Sequence, residues 1–219
     1  MAFNYSPKIV TDGLVLYLDA GNVKSYISGS TTWNDLTPNQ NVGVLTNGPT
    51  FNSSNGGSIV FDGSNDYVNV NSFANILSST SYTKMCWFYI NSYKYNIISG
   101  GSTSLHAFWL AGTNKLNAGH NGYWSTVVST TSLSLNTWYF GAVTFDTTNG
   151  WKLYVNGNQE ASSANTATFT GTGGILIGAF DLASNLFDGK IAVASVYNRV
   201  LNNLEILQNY NATKTRFGL

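Results

Sequence analysis

The chain has 219 residues, of which 43% are hydrophobic and 14% aromatic but only 9% charged, and its ten basic and ten acidic residues give zero formal charge. Soluble domains carry roughly 25% charged residues, so this surface must be made of Ser, Thr, Asn and Gly. No basic stripe is available for a phosphate backbone or an anionic bilayer, which argues against nucleic acid and membrane as partners and towards uncharged ligands such as sugars, or flat protein contacts.

The first residues show no basic segment followed by a long apolar one, and the early apolar stretch from Leu14 to Leu18 is far too short to span a bilayer. A chain made in the cytoplasm is expected. Leu14, Leu16 and Leu18 alternate with Val15 and Tyr17, the pattern of a strand buried on at least one face. Residues 21–57, rich in Gly, Asn, Ser and Thr and holding Pro38 and Pro49, read as long loops with few pairing strands. Two β-rich runs, 58–62 and 67–70, flank Gly63, Ser64 and Asn65 in a hairpin-like pattern.

Short β-rich segments follow at 82–90, 96–99, 106–110 and 115–119. The single cysteine, Cys86, lies inside the first of these, so no intrachain disulfide forms and a small buried core residue is expected. Asn121-Gly122 and Asn156-Gly157 are hairpin signals, because both central residues of a type I′ turn need positive φ. The first pair places His120 opposite Tyr123 and Gly119 opposite Trp124; the second turns the strand 151–155 back on itself. Alternating segments at 136–146, 173–178 and 187–197 complete the strands. One helix is expected over 202–211, with Asn202 as N-cap, Glu205 closing a capping box, and Leu201, Leu204 and Leu207 packing on a sheet. Turn signals recur evenly and no linker interrupts them. The expectation is one all-β domain over 1–219, an antiparallel β-sandwich with one short C-terminal helix, an arm at 1–12, and a helix and tail at 202–219.

Candidate chemistry sits in three places. Asp62 and Asp66 crowd a turn with Asn65, and Asp188 lies in a second Phe-Asp-Gly; these oxygens suit calcium, or cap backbone amides as Asx turns, and the residue types favour both. His106 and His120 have no partner at zinc spacing and read as ordinary strand residues. Trp87, Trp138 and Trp151 lie in alternating strands and read as core, whereas Trp109 sits in a short run and Trp124 beside a polar hairpin tip. For a sugar site the residues selected are His120, Asn121, Tyr123 and Trp124, since aromatic faces stack on pyranose rings while amide and imidazole groups bond hydroxyls. His120 and Tyr123 are expected to share a face.

Eight segments in order carry a family resemblance. They are the opening strand from Gly13 to Asp19, the loop from Trp33 to Asn41, the run from Ile59 to Val68, the Trp87 strand, Asn136-Thr137-Trp138, the run from Leu153 to Gly157, Leu176-Ile177-Gly178, and Phe187 to Ile191 continuing through Tyr197 to Leu201, Glu205 and Ile206. Together they resemble the concanavalin A-like lectin/glucanase superfamily, and more closely its laminin-G-like (LamG, pentraxin-like) jelly rolls. The resemblance implies a jelly-roll fold and, in many members, a structural calcium. Glucan-cleaving members carry a Glu-x-Asp-x-x-Glu strand that supplies nucleophile and general acid. Here the only glutamates, Glu160 and Glu205, have no acidic neighbour two residues away, so no enzyme is expected.

Such modules occur in virion proteins of tailed bacteriophages, and the ending from Asn209 to Gly218 resembles that subset. The implied role is a non-enzymatic virion-surface protein, a capsid decoration or tail-associated adhesion module, with other virion proteins and cell-surface glycans as partners. A homo-oligomer, trimer or dimer, is expected from the weakly charged surface. The alternatives are a packing protein without ligand, a bacterial carbohydrate-binding module and, most remotely, a glycoside hydrolase.

Overall fold

The computed structural model describes residues 7–71, 76–100, 105–110, 112–171, 173–180 and 184–219. In chain order its elements are β1 (Leu14–Asp19), β2 (Thr32–Asn34), β3 (Val42–Thr46), β4 (Thr50–Asn52), β5 (Ser58–Asp62), β6 (Tyr67–Asn71), β7 (Ser81–Ile90), β8 (Ile98–Ser99), β9 (His106–Leu110), β10 (Leu116–His120), β11 (Tyr123–Val128), β12 (Trp138–Asp146), β13 (Gly150–Val155), β14 (Asn158–Ser163), β15 (Ile175–Ile177), β16 (Asp188–Tyr197) and α1 (Asn203–Thr213). All ladders are antiparallel.

The back sheet runs β14-β13-β12-β7-β16-β5-β4. A register shift in β16 between Ile191 and Val193 lets its first half pair with β5 and its second half with β1. The front layer has two parts, β2-β3-β6-β15-β8 and β11-β10-β9. They meet where Ile97 N–H bonds the Phe108 carbonyl at 2.9 Å and Asn96 bridges Trp109.

Strand β7 shows why the molecule has three layers. Its side chains alternate between two apolar environments, as a period of two requires. Tyr82, Cys86, Phe88 and Ile90 join the core between the sheets, while Met85 and Trp87 join a second core on the far side. That far side is covered by α1 and the 3-10 turn after it. Trp87 stacks on Phe217 at 4.1 Å between ring centroids, and its indole N–H bonds Thr213 Oγ1 at 2.7 Å. The tail is held by Arg216, which pairs with Asp19 at 2.6 Å and donates to the carbonyls of Asn55 and Gly57. Cys86 is buried, and burial pushes its thiol well above the ordinary value.

The structure corrects three expectations. The region 21–57 contributes β2, β3 and β4, with β3 paired to β6 inside the front layer. Strands this short leave little periodicity to read. The runs 58–62 and 67–70 form no hairpin: β5 belongs to the back sheet and β6 to the front, and the turn between them arches from one layer to the other. Gly63 makes that arch possible, with φ of 72° and its Cα so close to Asp188 that a Cβ would lie 2.7 Å from the Asp188 Cβ. On the helix, the capping box of Asn202 and Glu205 forms as expected. Leu204 and Leu207, however, are 77% and 39% exposed, and the helix buries Ile206 and Asn209 instead. Leu201, in the lead-in before the helix, is buried in the second core as expected.

From position 7 onward the N-terminal arm lies on this helix. Val10 N–H bonds Asn209 Oδ1 at 2.8 Å, the Tyr197 hydroxyl bonds the Val10 carbonyl at 2.7 Å, and Gln208 Nε2 bonds the Lys8 carbonyl at 2.7 Å. The first six residues of the expected arm lie outside the described ones.

Removing a buried aromatic ring leaves a cavity as well as losing its transfer energy. Phe217→Ala is expected to destabilise the fold by about 3 kcal/mol in urea unfolding. A loss within about 0.5 kcal/mol, typical of surface positions, would show that the tail does not seal the second core.

Candidate functional site

The front sheet β9-β10-β11 turns one face to the core and the other to solvent. On β9, His106, Phe108 and Leu110 point inward, so Ala107 and Trp109 face out; on β10, Leu116, Ala118 and His120 point inward. On β11 the alternation breaks. Ala118 pairs with Val127 and His120 with Tyr123, so Trp124, Ser125 and Thr126 together stand against Gly119. Gly119 is required there, because a Cβ would lie 1.8 Å from the Tyr123 carbonyl oxygen. This bulge carries Trp124 over the sheet, where its carbonyl accepts the Trp109 indole N–H at 2.7 Å and its ring meets Phe180 edge-on at 5.0 Å.

Two depressions flank this aromatic pair. A notch of about 160 Å³ is lined by Asn96, Ala107, Trp109, Trp124, Phe180 and Asn185. A more open groove of about 520 Å³ is lined by Trp109, Tyr123, Trp124, Ser125, Thr126 and Asn165, with Gly122 at the tip. Tyr123 is 75% exposed. Tyr123 and Trp124, which strict alternation would send to opposite faces, therefore line the same groove. Trp109, Phe180, Asn96 and Asn185 join them; no local signal marks these four, because they arrive from separate segments of the chain.

The structure places His120 and Asn121 elsewhere. His120 is 4% exposed and its imidazole is turned inward, so the surface pairing with Tyr123 does not form. Its Nδ1–H donates to the Ala167 carbonyl at 3.3 Å, which leaves Nε2 to accept the Tyr82 hydroxyl at 2.7 Å. The Trp151 ring lies 4.3 Å from it. Asn121, with φ of 48°, uses its amide to tie the hairpin tip to the next loop: Nδ2 donates to the Thr168 carbonyl at 2.7 Å and Oδ1 accepts the Thr170 N–H at 3.1 Å.

Beside His120 lies a second buried pair. Lys84, fully buried, donates from Nζ to His106 Nδ1 at 3.2 Å and to the Ile98 carbonyl at 3.3 Å, while His106 Nε2–H donates to the Gly174 carbonyl at 3.0 Å. A neutral amine has two N–H donors for these two acceptors. Burial holds the Lys84 ammonium well below the usual lysine range; burial and then the Lys84 charge lower His106, and the same causes bring His120 down to about 3.

The acidic positions sit at the arch between β5 and β6. Asp62 Oδ1 accepts the N–H groups of Ser64 and Asn65 at 2.8 and 3.3 Å, and Asp66 Oδ2 accepts Asp62 N–H at 3.2 Å. Asp188, paired with Asp62 across the ladder, accepts from Asn91 Nδ2 at 3.2 Å. Desolvation is the main cause that raises Asp66. These oxygens face backbone and side-chain amides, and among the described residues no three His, Cys, Asp or Glu side chains converge as a metal-holding group. Glu160 holds Thr130 and Thr131, and Glu205 pairs with Arg199 at 2.6 Å while closing the helix cap.

An antiparallel two-layer sandwich with an aromatic cleft on its front face defines a lectin-like jelly roll. The chain belongs to the concanavalin A-like lectin/glucanases superfamily, whose laminin-G-type model matches residues 62–207. None of the curated proteins compared matches it. Among solved structures it is similar to a mutant Trypanosoma rangeli sialidase displaying trans-sialidase activity (TM-score 0.73, 16% identity), covering 95% of this chain and 34% of the sialidase. It is also similar to the binding domain of Paraclostridial Mosquitocidal Protein 1 (TM-score 0.70, 17% identity), covering 92% of this chain and 52% of that one. A third likeness is to domain 4 of AbnA, an extracellular GH43 arabinanase from Geobacillus stearothermophilus, solved with arabinotriose (TM-score 0.70, 16% identity; 90% and 98% covered). The chain thus spans about a third of the sialidase and nearly all of the arabinanase domain.

The buried bases make stability depend on pH. Both histidines and Lys84 have folded pKa values below their unfolded ones, so the unfolded chain binds more protons below about 10.4 at the lysine and about 6.5 at the histidines. Stability rises with pH wherever that holds. The melting temperature is expected to climb from about pH 5 to about pH 7 on the histidines and on towards about pH 9 on Lys84. Lys84→Met should flatten the upper limb in scanning calorimetry; an unchanged upper limb in the variant would contradict a neutral Lys84.

Proposed function

We propose that this chain is a non-catalytic glycan-binding module displayed on the surface of a bacteriophage particle, as a capsid decoration or tail-associated adhesion protein. The observation that carries the glycan reading is the outward cleft in which Trp109, Trp124, Tyr123 and Phe180 stand beside the amides of Asn96, Asn185 and Asn165. Aromatic faces stack on the C–H faces of sugar rings, and amides bond hydroxyls. Membership of a lectin/glucanase superfamily supports this reading, as does the likeness to an arabinanase domain solved with arabinotriose. Glu160 and Glu205 are each engaged in holding local structure, which supports a binding role over hydrolysis by a free carboxyl pair flanking the scissile bond. The virion placement rests on the resemblance of the closing segment, 209–218, to phage virion modules.

On a glycan array the wild type is expected to give selective signals that Trp124→Ala abolishes. Tyr123→Ala should weaken them with a stability change under about 0.5 kcal/mol, as for other exposed positions. Wild-type protein that binds no glycan would leave a packing protein as the better reading.

For the particle, labelling of purified virions with an antibody to this chain is expected to decorate the surface, and sedimentation at micromolar concentration to show a dimer or trimer. A monomer absent from purified particles would refute the virion role.

A further inference from the structure

We propose that the cleft binds at least two consecutive units of an uncharged glycan, one in the notch and the next in the open groove, with Trp109 and Trp124 at the boundary; this rests on the glycan-binding reading. The two depressions share those two tryptophans and otherwise have different walls, Asn96, Phe180 and Asn185 on one side and Tyr123, Ser125, Thr126 and Asn165 on the other. A single sugar ring occupies one of them. A chain that fills both passes over the aromatic pair.

The pair is set before any ligand arrives. The Trp109 indole N–H is engaged by the Trp124 carbonyl and the Trp124 ring rests against Phe180, so little rotamer freedom is lost on binding. In the notch, Asn96 accepts from Ser99 Oγ at 2.6 Å and donates towards the Asn185 carbonyl at 3.4 Å, which fixes the amide at its wall. Gly119 admits the close approach of the Tyr123 and Trp124 backbone that forms the bulge.

Charge selects the class of sugar. All ten Lys and Arg residues are among the described ones, and none lines either depression. The carboxylate of a sialic or uronic acid would therefore be desolvated against indole and amide groups with no guanidinium or ammonium to pair it. Neutral hexose or pentose chains carry no such cost.

Isothermal titration with arabinose, arabinobiose and arabinotriose, with the matching cello- and malto-oligosaccharides, and with sialyllactose as the acidic member tests this. For whichever neutral series binds, affinity is expected to rise at least about tenfold from one unit to two, to change less than about twofold between about 50 and 500 mM NaCl, and to exceed that for sialyllactose. Tyr123→Ala, which removes a wall of the groove, should lower disaccharide affinity more than monosaccharide affinity. Equal affinity for one unit and two, or tighter binding of sialyllactose, overturns the two-unit neutral site while the glycan-binding reading stands. Binding of no sugar on the array or in these series overturns that reading and this one together.

Discussion

The structure depends on one strand having no solvent face. Strand β7, hydrogen-bonded to β12 on one side and β16 on the other, is buried along nearly its whole length. Its period of two then forces two separate apolar layers, one between the sheets and one beneath the helix. A sandwich alone would leave Met85 and Trp87 in water. Helix α1, the 3-10 turn after it and the N-terminal arm close that face, and Arg216 and Arg199 pin the closing segments through Asp19 and Glu205. Four of the twenty charged residues take part in this fastening.

A second consequence concerns the polar groups between the sheets. Lys84 and Tyr82 of the back sheet reach across the core to His106 and His120 of the front one. Each donor meets a fixed acceptor, so these contacts specify how the small front sheet sits. They also bear on the surface above. His120 anchors the hairpin from inside just before its turn, Asn121 ties the tip to the loop at 168–170, and Gly119 admits the bulge that presents Trp124. The aromatic cleft is therefore the outer side of the same strands whose inner side carries the buried bases. Residues that hold the scaffold and residues that line the cleft lie side by side along one hairpin.

Fold likeness at 16–17% identity to a sialidase, a toxin's binding domain and an arabinanase domain speaks to architecture. Function comes from the site. Here the site offers stacking surfaces and amides, while the glutamates are committed to a loop and a helix cap. That division of labour is what the glycan-binding proposal rests on.

Most of the strands, the two Asn-Gly turns, the helix cap and the superfamily were legible in the sequence, because alternation, positive-φ turns and capping are decided within a few neighbouring residues. Tyr123 and Trp124 were legible as ligand candidates for the same reason, lying beside a recognisable turn. What a side chain faces across the molecule was not. The arch from β5 to β6 looks locally like a hairpin, and only the partners β16 and β3 decide that the two strands part to different layers. His120 looks like a surface residue until the back sheet supplies Tyr82, and Leu204 looks buried until Ile206 and Asn209 take the covered face. The cleft itself joins Asn96, Trp109, Trp124, Phe180 and Asn185 from distant parts of the chain. Local sequence thus determined which elements form, and the packing of one layer on another, a long-range matter, decided which of their faces reach solvent.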